Sequence, residues 1–274
     1  MTKEEMSVEF DLLYNNIMSN LAPGLDNYEK SRFLTMAQEA IIREYYNGIS
    51  PLSNSFEKNE AMREALANLV TSYSKNISDT YSIDPGAPLL HYITDTNVNI
   101  TNNDGIRPVI VRNDKIKDYM VRIPDDVLYV ILEYVIYKDC DLKCFNNREI
   151  AVVPVTHDEV QRTIDNPFRG PNLRRVLRLD FGRRNGTGSS YPTDGMNRRA
   201  IELLSKYTIY SYTMRYIKKP VPIIIEDIDS TDVPINGRYD ACECELSELI
   251  HRDIIERAVQ IASVVYKGTA TNNK

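Results

Sequence analysis

The side chains most often used for proton transfer are scarce in this sequence, which has three histidines in 274 residues, His91, His157 and His251. A nucleophile-containing triad is assembled only by the fold, so the sequence leaves one open, with His157 and His251 as its sensible bases. Neither the GxSxG turn of hydrolases nor the HExxH helix of zinc proteases occurs. The sequence therefore favours a protein that is not an enzyme.

The thiols and carboxylates that bind metals do not have the usual spacing. Cys140 and Cys144 are separated by three residues and Cys242 and Cys244 by one, whereas structural zinc sites use C-x-x-C pairs. A metal site could be imagined only if these cysteines were combined with His251. The acidic run at residues 226–229 favours a solvated strand end, and Asp125-Asp126 favours a helix start, where acidic residues complement the dipole. We therefore predict no metal and no cofactor.

One stretch is locally basic, although the chain as a whole has a formal charge of −6. Its glycine-rich part, residues 182–188, lacks the Lys-Ser/Thr ending of a phosphate-binding loop. The arginines of the stretch are Arg169, Arg174, Arg175, Arg178, Arg183 and Arg184. Such a patch suits DNA phosphates or an acidic protein surface, and an arginine-edged exposed strand explains it equally well. DNA binding or processing through residues 169–184 is therefore the alternative function.

Composition indicates a soluble protein made in a reducing cytoplasm. No apolar run approaches the roughly 18 residues of a membrane span, and the acidic, polar N-terminus does not resemble a secretory signal. Four cysteines are too few for a disulfide framework in a chain of this size. The 18 tyrosines and the absence of tryptophan fit either an interface-rich protein or an A/T-rich genome, and both explanations stay open.

The first 47 residues predict two helices joined by a short break, which is an antiparallel hairpin. Residues 4–20 carry apolar side chains at helical spacing, and Ala22-Pro23-Gly24 ends this helix. The second helix starts at Asp26, which forms a capping box with Glu29.

The rest of the chain predicts an α+β fold, with the helical hairpin and further helices packed on a small, mostly antiparallel sheet. Predicted helices cover residues 57–73, 125–138, 156–164, 197–205 and 247–266. Predicted strands cover residues 108–112, 119–123, 150–155, 174–180, 207–217 and 221–226, the third buried and the fourth exposed. We expect a helical part at 1–103 and an α+β part at 104–274, or one continuous domain.

Several phrases together are similar to a known family. They are residues 10–16 (FDLLYNN), 22–31 (APGLDNYEKS), 33–39 (FLTMAQE), 45–48 (YYNG), 153–159 (VPVTHDE), 166–172 (NPFRGPN), 214–220 (MRYIKKP) and 222–225 (PIII), with a closing helix at 251–262. In these phrases the chain resembles the connector, or tail-barrel ring, proteins of crAss-like bacteriophages with short tails. The similarity extends from about residue 4 to residue 266 and includes no catalytic signature.

This resemblance implies a structural virion protein, assembled in the host cytoplasm into a ring of twelve copies between portal and tail. The implied partners are other copies of the chain, the portal protein or other connector rings, and transiently the DNA in the channel, with no membrane. Ring closure requires side-to-side contacts, which aromatic residues supply well. The candidate interface residues are Phe10, Tyr14, Phe33, Tyr45, Tyr46 and Phe168.

Overall fold

The structure is a computed structural model that describes residues 1–18, 24–47, 60–76, 90–92, 116–139, 142, 146–183, 199–229 and 231–271. It divides into two compact units. The helical unit comprises residues 1–70 and 219–274, and the sheet unit comprises residues 71–218. The boundary predicted at 103/104 lies outside the described residues.

The chain starts in the helical unit, passes through the sheet unit and returns to the helical unit. The helices are α1 (Lys3–Met18), α2 (Asn27–Asn47), α3 (Glu60–Leu66), α4 (Val160–Ile164) and α5 (His251–Thr271), with short 3-10 turns at Ala67–Leu69 and Glu248–Ile250. The strands are β1 (Val70–Asn76), β2 (Leu90–Tyr92), β3 (Lys117–Arg122), β4 (Val127–Tyr137), β5 (Glu149–Pro154), β6 (Arg175–Arg183), β7 (Arg199–Ser205) and β8 (Ile209–Lys218).

The two N-terminal helices form as the sequence predicts. At the start of α2 the Glu29 amide donates to Asp26 Oδ1 at 2.7 Å, and the Asp26 amide donates to Glu29 Oε2 at 3.3 Å, which confirms the capping box. A second capping box, which the sequence reading missed, joins Thr2 and Glu5 at the start of α1. Both boxes satisfy amides that the first turn of a helix leaves without partners.

Helix α5 completes the helical unit by packing against both α1 and α2. It runs antiparallel to α2: the Tyr266 hydroxyl donates to Glu29 at 2.9 Å near one end, and the Tyr45 hydroxyl donates to Asp253 at 3.3 Å near the other. Helices α1 and α2 are linked directly by the Lys30–Asp11 ion pair at 2.6 Å. The predicted hairpin is thus held together largely through a third helix.

The sheet unit contains a mixed sheet in the order β1-β8-β4-β5-β6-β7-β3-β2. Among its registered pairs only β5 with β6 is parallel, in agreement with the predicted α+β class. The sheet curls strongly. The Ile209 amide of β8 donates to the Tyr119 hydroxyl of β3 at 3.1 Å, although four strands lie between β8 and β3 in the sheet order. One face therefore closes over a core of its own side chains, and α4 covers part of the other face.

Two segments predicted as helices are strands. Residues 125–138 form a turn and then β4, and residues 197–205 contain β7. The sequence of β4, VLYVILEYVIY, is rich in β-branched and aromatic residues, which suit a pleated surface. A short apolar run such as this fits the spacing of a helix and that of a strand equally well. The pairing with β8, from Val127↔Lys218 to Tyr137↔Ile209, makes it a strand.

Other boundaries also differ from prediction. The helix predicted at 57–73 is the shorter α3, followed by a 3-10 turn and β1. Residues 221–226 form no strand and make one isolated bridge, Ile224↔Cys242. Strand β5, predicted as buried, is half-exposed, whereas the supposedly exposed β6 buries Val176, Leu177 and Leu179 because it lies in the interior of the sheet. The strand predicted at 108–112 lies outside the described residues.

Candidate subunit interface

The described histidines contact main-chain atoms. His251 is buried at the start of α5, with Nε2 3.0 Å from the Leu246 carbonyl oxygen. His157 is exposed, with Nε2 3.0 Å from the Asp180 carbonyl oxygen. These contacts orient the rings structurally. His91 lies in β2, where only the backbone is described.

The candidate metal ligands have local structural partners. Cys242 and Cys244 are free thiols, and burial raises the pKa of Cys244 to about 11, which keeps it protonated at neutral pH. Glu226 accepts from the Asn27 amide group at 2.7 Å, and Asp227 accepts from a main-chain amide at 2.7 Å. Within the described ranges no group of three or more His, Cys, Asp or Glu could hold a metal ion. Cys140 and Cys144 fall outside those ranges.

Asp125 and Asp126 do not cap a helix, contrary to the prediction, because the segment that follows them is β4. They occupy the turn before this strand. Asp126 accepts a hydrogen bond from the Tyr216 hydroxyl at 3.2 Å, and burial together with this carboxylate raises the pKa of Tyr216 to about 12. This pair therefore fixes a turn to the sheet.

Two of the six candidate interface residues belong to the helical core. The rings of Phe10 and Tyr14 are buried and stack with centroids 5.9 Å apart. The ring of Tyr266 meets Tyr14 edge-on at 6.5 Å and Phe33 at 6.3 Å. The burial of Phe10 and Tyr14 leaves a neighbouring copy no surface to contact, because helical spacing turns them toward α5. Phe33, Tyr45 and Tyr46 are half-buried.

Phe168 is the opposite case, with 85% of its surface exposed. It lies in residues 166–175, which connect α4 to β6, end on the first residue of that strand and are called the Phe168 loop below. Asn166 Oδ1 accepts from the amides of Phe168 and Arg169 at 2.9 and 3.2 Å. The Gly170 amide donates to the Asn166 carbonyl at 2.8 Å and closes the turn. The Asn166 side chain thus forms an Asx-turn, in which its oxygen takes the place of a main-chain carbonyl as the acceptor.

Gly170 is required by space. A Cβ atom at this position would lie 2.9 Å from the carbonyl oxygens of Asn166 and Ile164, and both are backbone atoms that cannot move aside cheaply. The conformation of the turn depends on this close approach, which explains a glycine without a positive φ. The conformation of the loop therefore requires a glycine at position 170.

Side chains from the sheet hold the far side of the loop. Arg175 Nη1 donates to the carbonyls of Phe168 and Arg169 at 3.4 and 3.2 Å. The buried Tyr137 hydroxyl donates to the Asn172 carbonyl at 3.2 Å. Because its backbone groups bind within the sheet unit, the loop is ordered before any partner arrives. It presents an aromatic ring to solvent from an ordered backbone.

The six predicted arginines do not form one surface. Arg169 and Arg174 are exposed on the Phe168 loop, whereas Arg175 braces it. Arg178 points into the curled sheet, where its side chain is 13% exposed and pairs with Glu133 at 2.9 Å. The backbone of Arg183 belongs to β6, but its side chain and all of Arg184 lie outside the description. Arg178 is thus structural, because strand alternation turns it inward.

Glu133 also accepts from the Tyr212 hydroxyl, which completes a buried network that the sequence reading missed. Burial, followed by the charge of Glu133, raises the pKa of Tyr212. A signal was available: Glu133 is the only charged residue of the otherwise apolar β4. A carboxylate in such a strand needs a partner, since an unpaired buried charge is costly.

None of the described helices is long and apolar enough to cross a membrane.

Comparison with known proteins agrees with an assembly role. The family model described as phage tail ring protein 3/4 matches residues 1–274. The chain is 36% identical to Ring protein 3 of Bacteroides phage crAss001 over 275 residues, which cover 100% of both chains. It is 33% identical to Ring protein 4/5 of the same phage over 272 residues, 98% of this chain and 94% of that protein.

These matches define a class, the structural ring proteins of phage tails. The chain belongs to the phage tail ring protein 3/4 family. It is accordingly a virion component, and the resemblance noted in the sequence is confirmed.

Proposed function

We propose that identical copies of this chain, twelve to a ring, form one tier of the portal-to-tail connector of a tailed phage, where the ring surrounds or lines the channel through which the genome leaves. The observation that carries the proposal is the match to ring proteins over the whole chain. The partners are further copies, then the portal protein or other connector rings, with transient contact to channel DNA. The role is structural and not enzymatic, and assembly takes place in the host cytoplasm.

The Phe168 loop supports this proposal physically. A ring needs heterologous contacts that close by rotation, so each copy must present an ordered feature to its neighbour. Burying an exposed phenylalanine contributes roughly 1.5–3 kcal/mol. Aromatic anchors of this kind often dominate interfaces. Since the loop is already ordered, little conformational entropy is lost on docking.

DNA binding through residues 169–184 receives less support. Of the arginines counted toward that patch, Arg178 is committed to Glu133, and Arg175 to carbonyls of the Phe168 loop. Two exposed arginines share the Phe168 loop with an exposed aromatic ring, and interfaces between proteins are enriched in these residue types.

Electron microscopy of the purified protein mixed with its portal protein tests the proposal. The expected result is a symmetric stack in which a ring of twelve copies lies against the portal. The protein without portal is the control, because an adaptor subunit can stay monomeric until its platform is present. Absence of any symmetric stack across several salt and protein concentrations would count decisively against a ring in the connector.

A further inference from the structure

A second exposed feature lies in the helical unit, at residues 226–243, which we call the acidic hairpin. Its two sides are joined by backbone hydrogen bonds: the Ile228 amide donates to the Tyr239 carbonyl at 2.8 Å, and Ile235 and Arg238 exchange bonds at 3.1 and 3.0 Å. Asn236 and Gly237, with φ of 50° and 80°, form its tip. Two residues with positive φ are the signature of a type I′ hairpin turn.

Contacts to α2 fix the hairpin in place. The Tyr28 hydroxyl donates to the Val233 carbonyl at 3.2 Å, and the Asn236 side-chain amide donates to Glu39 at 2.8 Å. Ile235 is buried between these contacts. The hairpin is therefore a fixed surface, comparable in this respect to the Phe168 loop.

The hairpin exposes apolar side chains next to acidic ones. Val233 is 71% exposed and Tyr239 is 40% exposed. Asp232 precedes Val233 and Asp240 follows Tyr239, and both aspartates are exposed. In all, residues 226–243 contain six acidic residues and one arginine, a formal charge of −5. The Phe168 loop has three arginines and no acidic residue, a formal charge of +3.

We propose that the Phe168 loop of one copy docks on the acidic hairpin of the next copy in the ring, a partner assignment that rests on the ring proposed above. Phe168 contacts Val233 and Tyr239, and Arg169 and Arg174 face the aspartates that flank them. Apolar contact supplies the affinity. The opposite charges select the partner and its register.

Charge disfavours any contact between two copies of the same feature. Two acidic hairpins facing each other would place two surfaces of formal charge −5 together, and two Phe168 loops would repel in the same way. Loop against hairpin is the combination without this repulsion. When each copy makes it with a different neighbour on either side, it is a heterologous contact, the kind that can close a ring.

Charge exchange tests the pairing, with ring formation on the portal as the readout in electron microscopy. The double variants Arg169→Glu/Arg174→Glu and Asp232→Arg/Asp240→Arg should each raise the protein concentration needed for rings by at least about tenfold. The chain with all four changes carries the complementary charges exchanged, and it should return to within about threefold of the wild type. All four positions are exposed, and circular dichroism checks that each variant is folded.

The results separate the two proposals. The pairing is wrong, while the ring stands, if the wild type and both double variants form rings equally well. The same conclusion follows if the wild type forms rings and the quadruple variant does not recover ring formation. If the wild type forms no ring on the portal, the ring and the pairing both fail.

A second measurement does not depend on charge. A photoreactive benzoylphenylalanine in place of Phe168, in rings mixed from isotopically light and heavy copies, should cross-link to residues 226–243 of a differently labelled copy. Cross-links to the portal, to another connector protein or within the same copy would overturn the assignment.

Discussion

Phe10 and Phe168 are both phenylalanines that the sequence marks as candidate contact residues, yet the fold treats them in opposite ways. Phe10 is completely buried on α1, where Tyr14 and α5 enclose it. Phe168 is 85% exposed on a loop whose hydrogen bonds are already made. The difference shows that aromatic type alone does not distinguish a core residue from one that a neighbouring copy could reach.

This contrast separates two roles within one chain. Removing a core ring lowers the stability of the subunit, and assembly suffers only as a consequence. Removing the ring on the loop should leave the subunit folded and affect assembly alone. The variants below test whether folding and assembly depend on different residues, and they are ordered from the largest expected effect on stability to the smallest.

Phe10→Ala should have the largest effect on stability. It removes a fully buried ring whose site cannot fully collapse, so we expect the free energy of unfolding to fall by about 3–5 kcal/mol in urea denaturation. Leu12→Ala is the matched control on the same helix, because Leu12 is 61% exposed, and it should change stability by about 0.5 kcal/mol or less. Equal losses for the two variants would show that the helical unit is not packed as described.

Tyr137→Phe should have an intermediate effect. It removes the hydrogen bond to the Asn172 carbonyl that supports the Phe168 loop, along with the contact from Ser205, at a cost of about 1 kcal/mol at neutral pH. Tyr210→Phe, on a more exposed ring of β8, is the control and should stay within about 0.5 kcal/mol of the wild type at that pH. An unchanged free energy of unfolding for Tyr137→Phe would mean that the loop does not depend on this hydrogen bond.

The same variant should alter the alkaline limit of stability. Burial raises the pKa of Tyr137 to about 12, from an ordinary value of 10.0. Between these two values the unfolded chain has lost the proton and the folded chain keeps it, so stability falls as pH rises. The wild type should therefore lose its advantage over Tyr137→Phe between pH 10 and 12, as measured by urea denaturation at successive pH values. A constant difference across this window would contradict the buried, protonated hydroxyl.

The helical unit could be predicted from sequence far better than the sheet unit, and the reason is the range of the interactions. The Asp26–Glu29 capping box and the α1 stripe are local, so their signals lie within a few residues. The identity of β4 depends on β8, more than 70 residues further along the chain, and its apolar run satisfies helical spacing as well. The curl that brings Tyr119 to Ile209 has no local signal.

The candidate site was predictable in its position but not in its composition. The phrase at residues 166–172 was noted in the sequence as part of the family resemblance, and Phe168 as a candidate interface residue, whereas the exposure of its ring comes from the structure. Arg178 was assigned to the same surface, although strand alternation and Glu133 turn it into the core. The support from Tyr137 comes from a strand that had been predicted as a helix, so it could not be foreseen.

Phe168→Ala should have the smallest effect on stability, and it tests directly whether Phe168 contributes to contacts between copies in the ring. We expect its urea unfolding curve to overlay that of the wild type within about 0.5 kcal/mol, because the side chain is exposed. Ring formation on the portal, counted by electron microscopy at matched protein concentration, should be lost, and Phe168→Leu should recover much of it by restoring an apolar contact. Rings of Phe168→Ala that form as readily as those of the wild type would show that Phe168 makes no contact on which the ring depends.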